Sequence, residues 1–155
     1  MSNFEIREIG YSLLRQFENE LKNMFTINTY TYHYPDKEVD ADYIDETFEK
    51  LCLYLNENNT HFIAAFDEHK IAGYIWLYQR PFMAHKRMII NSFFVAEGYR
   101  SHGIGKALLE AACQKSLDVQ CKEIATHYAT VNQVAGKFYL NNGFLETRVE
   151  VVKKL

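Results

Sequence analysis

The sequence predicts an α/β protein in which a mixed β-sheet carries helices on its faces. Segments with apolar residues at helical spacing alternate with short apolar runs that are typical of strands. Two of these runs, joined by a short polar turn, predict a hairpin, and a strand–helix–strand–helix order follows them. The chain has 155 residues, which suits one domain over residues 1–155 with a sizeable core.

The first part of the chain predicts one strand and two helices. Residues 4–9 suit a strand, and helical spacing predicts helices over residues 11–25 and around residues 44–55, the second with Asp42 as its N-cap. The polar and aromatic tract 29–36 is either strand-like or a loop. The apolar positions of the two helices are Leu13, Leu14, Phe17, Leu21, Met24, Ile44, Phe48, Leu51, Cys52 and Leu55.

The rest of the chain predicts five strands and two helices. Gly143 follows the second of these helices and is expected to end it in a left-handed conformation. The predicted strands cover residues 61–66, 71–78, 87–95, 123–130 and 145–153, and the helices cover 103–117 and 133–142.

Composition and charge exclude several classes of function. The formal net charge is −3, so the chain has no basic footprint for nucleic acid. The N-terminal residues lack the apolar core of a signal peptide, and no apolar run approaches the length of a membrane span. The six histidines have no metal-ligand spacing. We therefore expect a cytoplasmic protein without a metal, whose Cys52, Cys113 and Cys121 are reduced core or half-buried thiols.

A glycine-containing turn between the strand at 88–95 and the following helix predicts an anion site. The first turn of a helix leaves N–H groups without partners, and the helix dipole places partial positive charge there. Gly103 and Gly105 lack the side chains that would hold an anion away, and Arg100 and Lys106 add charge. The spacing fits neither the dinucleotide-binding fingerprint nor the nucleoside-triphosphate loop. The alternative is a tight turn that binds no ligand.

Two motifs together resemble the GCN5-related N-acetyltransferase (GNAT) family. The first is Arg-x-x-Gly-x-Gly over residues 100–105, and the second is Asn-x-x-Ala-x-x-Phe-Tyr-x-x-x-Gly-Phe over residues 132–144. They occur in the family's order, separated by a predicted helix and strand, and the resemblance covers residues 71 to 155. It implies a mixed, mostly antiparallel sheet with helices on both faces and splayed central strands.

The resemblance also implies a reaction and a cosubstrate. Members move an acetyl group from acetyl-CoA to a primary amine by direct attack in a ternary complex. The alternative from another class is a catalytically silent module that binds coenzyme A as a sensor or interaction domain. The family commonly has a further terminal strand, so the sheet edge is either short here or completed by a partner chain in a homodimer.

The family's cofactor and acid positions map onto this sequence. The CoA pyrophosphate would lie over the backbone of Ser101, His102, Gly103, Ile104, Gly105 and Lys106, with Arg100 opening the loop, and the pantetheine arm along Phe93, Phe94 and Val95. Asn132 would bind that arm or, alternatively, only cap the next helix. Tyr139 would protonate the leaving thiolate, and its neighbour Phe138 is the better core candidate.

The general base is less clearly marked. Where many relatives have an acidic residue, this chain has Asn91 and Ser92, and where others have a Glu before the second motif it has His127. The imidazole of His127 could accept the ammonium proton directly or through water. The alternatives are a structural histidine and an amine that arrives already neutral.

The acceptor pocket is expected near the first helices. Aromatic and acidic side chains there suit a small-molecule or peptide amine through cation–π attraction and charge. The alternative is a solvated acidic helix start. The residues concerned are Tyr30, Tyr32, His33, Tyr34, Asp36, Glu38, Asp40, Asp42, Asp45 and Glu46.

Overall fold

The computed structural model describes residues 3–155 and confirms the mixed sheet with helices on both faces. Its five strands lie in one sheet in chain order, antiparallel from the first to the fourth, with the fifth parallel to the fourth. The strands are β1 (Glu5–Glu8), β2 (Thr60–Asp67), β3 (Lys70–Phe82), β4 (His85–Val95) and β5 (Glu123–Ala125). The helices are α1 (Tyr11–Gln16), α2 (Glu18–Ile27), α3 (Ala41–Leu55), α4 (Ile104–Asp118) and α5 (Gln133–Asn141).

Helices cover both faces of the sheet because successive strand residues point to opposite sides. On one face, Tyr74 of β3 packs in a cluster with the apolar positions of α1, α2 and α3. On the other, the neighbouring Ile75 packs with those of α4 and α5. Fully burying one such side chain stabilises the fold by about 1.5–3 kcal/mol before the cost of ordering it.

The helix predicted over residues 11–25 is interrupted. At Phe17 the backbone leaves helical geometry (φ −105°, ψ 18°), and its ring packs edge-on against Phe66 with centroids 5.6 Å apart. This core contact replaces one unbroken helix by α1 and α2. The prediction of a single helix was wrong at that residue.

The tract 29–36 is neither a strand nor only a loop. A π-helical turn, Asn28–His33, continues directly from α2. Helix α3 begins two residues earlier than predicted: the backbone N–H of Tyr43 donates to the carboxylate of Asp40 (3.2 Å), so Asp40, not Asp42, is the N-cap.

The last two predicted strands differ most from the structure. Strand β5 ends at Ala125, after three residues paired with β4. The segment 145–153 is not a strand, and it is exposed together with residues 154 and 155. Gly143, before it, has the expected left-handed conformation (φ +89°). Within residues 3–155 no helix has the length and apolarity needed to cross a membrane.

Candidate active site

The glycine turn after β4 presents a row of free backbone donors. A 3₁₀ turn, Glu97–Tyr99, leads into it, and Gly103 is the N-cap of α4 with φ +80°, a left-handed conformation that suits glycine. The first backbone bond of α4 runs from Ala107 N–H to Gly103 O (3.0 Å). In the described part of the chain, the N–H groups of residues 101–106 have no backbone acceptor. Six consecutive donors at the positive end of a helix dipole favour an anion.

The space above the turn is kept open by its glycines. A Cβ on Gly103 would have no atom within 4 Å. A Cβ on Gly105 would make ordinary contacts only, with the Phe138 ring at 3.6 Å and a Val95 methyl at 3.8 Å. The protein's own packing therefore does not explain glycine at 105, whereas close approach of a ligand to the backbone would.

Arg100 is directed away from this row of donors. Its Nε donates to Val95 O (3.0 Å), and its guanidinium lies 4.5 Å from the Tyr32 ring centre and 5.7 Å from that of Phe94. Lys106 is exposed and has no ion pair within residues 3–155. Of the two cations expected at the site, Arg100 braces the loop and Lys106 is available to an anion.

Beside the turn, one edge of β4 is open. Pairing with β5 stops at Ile89, so residues 91–95 have no strand partner on that side within the described chain. Opposite β3, Leu77 pairs with Ile90 and Trp76 with Ser92, which leaves Asn91 as the extra residue of a β-bulge. The splayed strands are therefore present, and the sequence motifs gave no sign of the bulge.

A small cavity of about 50 Å³ lies in the gap between the splayed strands. It is lined by the β4 segment 90–93, by Thr126 and His127 after β5, by Asn132, Ala135 and Tyr139 at α5, and by His33 from the π-helical turn. The cavity therefore joins the second sequence motif, and the strand that leads to the first, with the segment expected to bind the acceptor.

Tyr139 is the most buried titratable group of this cavity. Its side chain is 8% exposed, and burial raises its phenol pKa to about 12, a shift that the neighbouring Thr126 hydroxyl opposes. Phe138 is the more exposed of the pair and packs edge-on against Phe93, with centroids 5.6 Å apart. The prediction that Phe138 is the better core residue was wrong, although Tyr139 does reach the cavity.

Asn132 has the alternative role considered from the sequence. Its Oδ1 accepts a hydrogen bond from the Ala135 backbone N–H (3.2 Å) and caps α5. The cap uses the oxygen only, so the side-chain amide remains a donor beside the cavity.

His127 lines the cavity from the segment after β5, and its side chain is exposed. His33 lines the same cavity and is half-buried; burial and the charge of His127 lower its pKa. Sequence reasoning placed His33 among acceptor-side residues and did not pair it with His127. The pairing depends on the π-helical turn, which has no sequence signal comparable to a heptad or a cap.

Four of the expected acceptor residues, Tyr30, Tyr32, Asp40 and Asp45, have structural partners. Tyr30 packs on the core and its hydroxyl accepts from the Asp40 backbone N–H (3.1 Å), while Tyr32 lies under Arg100. Asp45 pairs with Lys22 at 3.1 Å. Beside these residues lies a groove of about 270 Å³, lined by Thr31, Tyr32, Pro35 and residues 131–134. Asn132 lines both the groove and the inner cavity.

Comparison with known protein families identifies this architecture. The model of the acetyltransferase (GNAT) family matches residues 9–144, which include both glycine motifs and the segments lining the cavity. The chain belongs to the GNAT family of acetyltransferases. Among curated relatives, the uncharacterized N-acetyltransferase YycN of Bacillus subtilis (strain 168) is 33% identical over 89 residues. That match spans 57% of the chain and 57% of YycN.

Solved GNAT-fold structures resemble the whole chain. The aminoglycoside N-acetyltransferase AAC(6')-Iy in complex with CoA has a TM-score of 0.76 and 17% identity, over 100% of this chain and 96% of that one. A second such structure is the aminoglycoside acetyltransferase meta-AAC0020, from an uncultured soil metagenomic sample, in complex with sisomicin. It has a TM-score of 0.75 and 22% identity, over 98% of this chain and 96% of that one. At these identities the likeness establishes the GNAT fold.

Proposed function

We propose that this protein transfers the acetyl group of acetyl-CoA to a primary amine on a small molecule, by direct attack in a ternary complex. One observation carries the proposal. The six free N–H groups of residues 101–106 lie beside the open edge of β4, where a diphosphate and an extended arm of the same ligand would find donors.

The pyrophosphate and the pantetheine arm of acetyl-CoA each have matching groups on the chain. The pyrophosphate would accept hydrogen bonds from residues 101–106, and Lys106 would add its charge. The pantetheine arm would follow Phe93, Phe94 and Val95, using the backbone edge that β5 leaves unpaired. The free amide of Asn132 would donate to that arm. The complex of AAC(6')-Iy with CoA supports this assignment through the shared fold.

The proposed reaction forms one C–N bond and breaks one C–S bond. The amine nitrogen attacks the thioester carbonyl carbon, and the thiolate of CoA leaves. Tyr139 then gives its phenolic proton to the thiolate, because burial keeps the phenol protonated. The amine loses one proton toward the imidazole side of the cavity, where His127 lies. Proton exchange with solvent afterwards returns the Tyr139 phenol and the imidazole to their starting protonation states. The products are an acetamide and the free thiol of CoA.

Direct attack is favoured over an acyl-enzyme by the state of the thiols. Burial raises the pKa of Cys52, Cys113 and Cys121 above that of a free cysteine. They therefore remain protonated and weakly nucleophilic at neutral pH. None of the three lines the cavity among the residues described.

A small-molecule amine is the acceptor class that the surface supports. The groove of about 270 Å³ leads by Asn132 to the inner cavity, and its volume is near the lower end of ordinary small-ligand sites. The GNAT-fold neighbours named for aminoglycosides, which are amines, point to the same class.

The test follows release of CoA thiol with a panel of amino sugars, polyamines and basic peptides. We expect turnover with at least one small amine and a large loss in Tyr139→Phe. Tyr54→Phe, at an exposed site on α3, serves as the matched control and keeps full activity. Calorimetry with acetyl-CoA accompanies the assay. Binding without turnover would identify the silent module instead, and absence of binding would reject both functions.

We also propose that the enzyme is a homodimer in which each chain gives residues 145–155 to its partner's sheet. Leu145, Val149 and Val151 are 84%, 85% and 88% exposed, and alternate positions place them on one face of a strand. In residues 3–155, this tail makes no backbone hydrogen bond with the rest of the chain. The Tyr128 hydroxyl donates to Glu146 (2.6 Å), which ties the root of the tail to the segment that follows the edge strand β5.

A second copy of the chain would give both the tail and the sheet edge a partner. The tail, added as a strand beside β5, would pair the free backbone groups of β5 and bury its own apolar side chains. Light scattering after size-exclusion chromatography should give a dimer for the full chain. Val149→Asp with Val151→Asp should give a monomer, whereas the control Leu53→Asp, at an exposed position of α3, should remain dimeric. A monomeric wild type, or a dimer unaffected by both aspartates, would refute tail exchange.

A further inference from the structure

We propose that His33 and His127 act together as a two-histidine proton acceptor for the attacking amine. The inference rests on the proposed acetyl transfer and deepens it. It replaces a single general base with a pair whose members come from two distant parts of the chain.

The fold brings the two imidazoles to one cavity. His33 is the last residue of the π-helical turn that extends α2, and His127 lies two residues beyond the end of β5. Both line the cavity of about 50 Å³ that also contains the Tyr139 side chain. His33 is half-buried and His127 is exposed, so the pair reaches from the inner cavity to solvent.

The surroundings of the pair disfavour a second positive charge. Strand β4 contributes Ile90, Asn91, Ser92 and Phe93 to the lining, none of them ionised, and α5 contributes the neutral phenol of Tyr139. No carboxylate lines the cavity in the described part of the chain. A charged imidazole there lacks a counter-ion, and charge on one histidine opposes charge on the other.

This arrangement keeps a proton acceptor available at neutral pH. Burial, and then the charge of His127, lower the pKa of His33, so its imidazole stays neutral and able to accept a proton over a wider range of pH. The cavity of about 50 Å³ has room for a water molecule between the two imidazoles, since one water needs a cavity of about 10–15 Å³. A proton taken from the amine can then leave through the exposed His127.

Counted from the neutral amine, the proton balance of the reaction is complete with these groups; an amine that arrives as ammonium first gives its extra proton to solvent. The amine nitrogen gives one proton to the histidine pair, and the thiolate receives one from Tyr139. The imidazolium then gives its proton to solvent, and the phenolate takes one back. No further acid, base or oxidant is needed.

The first test measures titration without turnover. NMR titration of the imidazoles should place the pKa of His33 below the ordinary histidine value of about 6.5, and His127→Asn should raise it, because the like charge is removed. His69→Asn, in the exposed turn between β2 and β3, is the matched control and should leave it unchanged. An ordinary value that does not respond to His127→Asn would refute the pairing.

The second test measures the pH dependence of kcat/KM for the amine. His127→Asn should move the acid limb upward, and each single variant should lower the rate by about tenfold. The double variant should lose less than the product of the two single effects, because the histidines act on the same proton, and it should lack the limb that the pair produces. The amine ionises in the same way with every variant, so its contribution cancels when kcat/KM of a variant is divided by that of wild type at each pH.

Calorimetry with acetyl-CoA separates the possible failures. All variants should bind the cosubstrate as wild type does. A wild type that turns over while His33→Asn matches it at every pH would refute the pair and leave acetyl transfer standing. A wild type that binds acetyl-CoA but acetylates no amine would instead refute the proposed function.

Discussion

The guanidinium of Arg100 lies 4.5 Å from the ring centre of Tyr32. Arg100 opens the glycine turn, and Tyr32 belongs to the π-helical turn that also carries His33. The contact therefore joins the loop proposed for the cofactor to the segment proposed for the acceptor and the base. The hydrogen bond from Arg100 to Val95 O fixes the same side chain to the end of β4.

Arg100→Ala should weaken acetyl-CoA binding only modestly, by about threefold to tenfold, because the backbone donors of residues 101–106 remain. Tyr32→Ala should have a similar effect although it lies outside the loop. In the double variant the two losses of binding free energy should be less than additive, because each substitution removes the same contact between Arg100 and Tyr32. Calorimetry on the four proteins of this cycle measures the coupling. Complete loss of binding in Arg100→Ala alone would mean that the guanidinium contacts the cofactor directly.

Gly105→Val should abolish cofactor binding while the melting temperature changes little. A Cβ added at Gly105 makes only ordinary contacts within the protein, so the main effect of valine should be to fill the approach to the free N–H groups. Gly103→Val should also block binding, although its φ of +80° adds backbone strain and makes the result harder to interpret. Gly10→Val, which meets nothing within 4 Å at the start of α1, is the control. Unchanged affinity in Gly105→Val would place the diphosphate elsewhere.

The sequence predicted best those parts of the site that depend on local chemistry. The left-handed Gly103 and the free helix N-terminus follow from a strand, a glycine turn and a helix in succession. The left-handed Gly143 is equally local. Each of these features is set by residues within a few positions of one another, so periodicity and turn chemistry are sufficient.

The features that the sequence did not predict depend on tertiary contacts. The break at Phe17 is accompanied by its packing on Phe66, and Asn91 is bulged only relative to β3. His33 reaches His127 across about ninety residues of sequence, through a π-helical turn that periodicity does not reveal. The alternating apolar residues after Gly143 have a strand pattern, but pairing needs a neighbour, and the single chain supplies none within its described residues.

Tyr139→Phe should reduce kcat by about a hundredfold or more, because the leaving thiolate loses its proton donor. Burial raises the pKa of Tyr139 to about 12, so in wild type the phenol stays protonated at pH values where an ordinary tyrosine ionises. We therefore expect no alkaline loss of kcat from this residue up to about pH 10.5. Thiol release corrected for thioester hydrolysis measures this. An alkaline limb near pH 10 that disappears in the variant would contradict the buried donor.

A polar cluster at the β1 edge of the sheet should control stability in acid. One carboxylate oxygen of Glu8 lies 2.9 Å from His61 Nδ1, and the other lies 2.7 Å from Lys115 Nζ. The hydrogen bond from His61, with further contributions from Lys115, lowers the pKa of Glu8 from 4.5 to about 2 against the opposing effect of burial. Because the folded pKa is depressed, the stabilisation is present above pH 4.5 and is lost as the pH falls toward 2.

Glu8→Gln should therefore destabilise the protein at pH 7 and converge with wild type in acid. The Glu8 side chain is 38% exposed, so solvent screening reduces the expected loss to about 1–2 kcal/mol. Urea unfolding at pH 7 and near pH 2.5 measures the difference, and Glu5→Gln, on the exposed part of the same strand, is the control. If Glu8→Gln were equally destabilising at both pH values, the contribution of Glu8 would come from packing, because a charge interaction must disappear once the carboxylate is protonated.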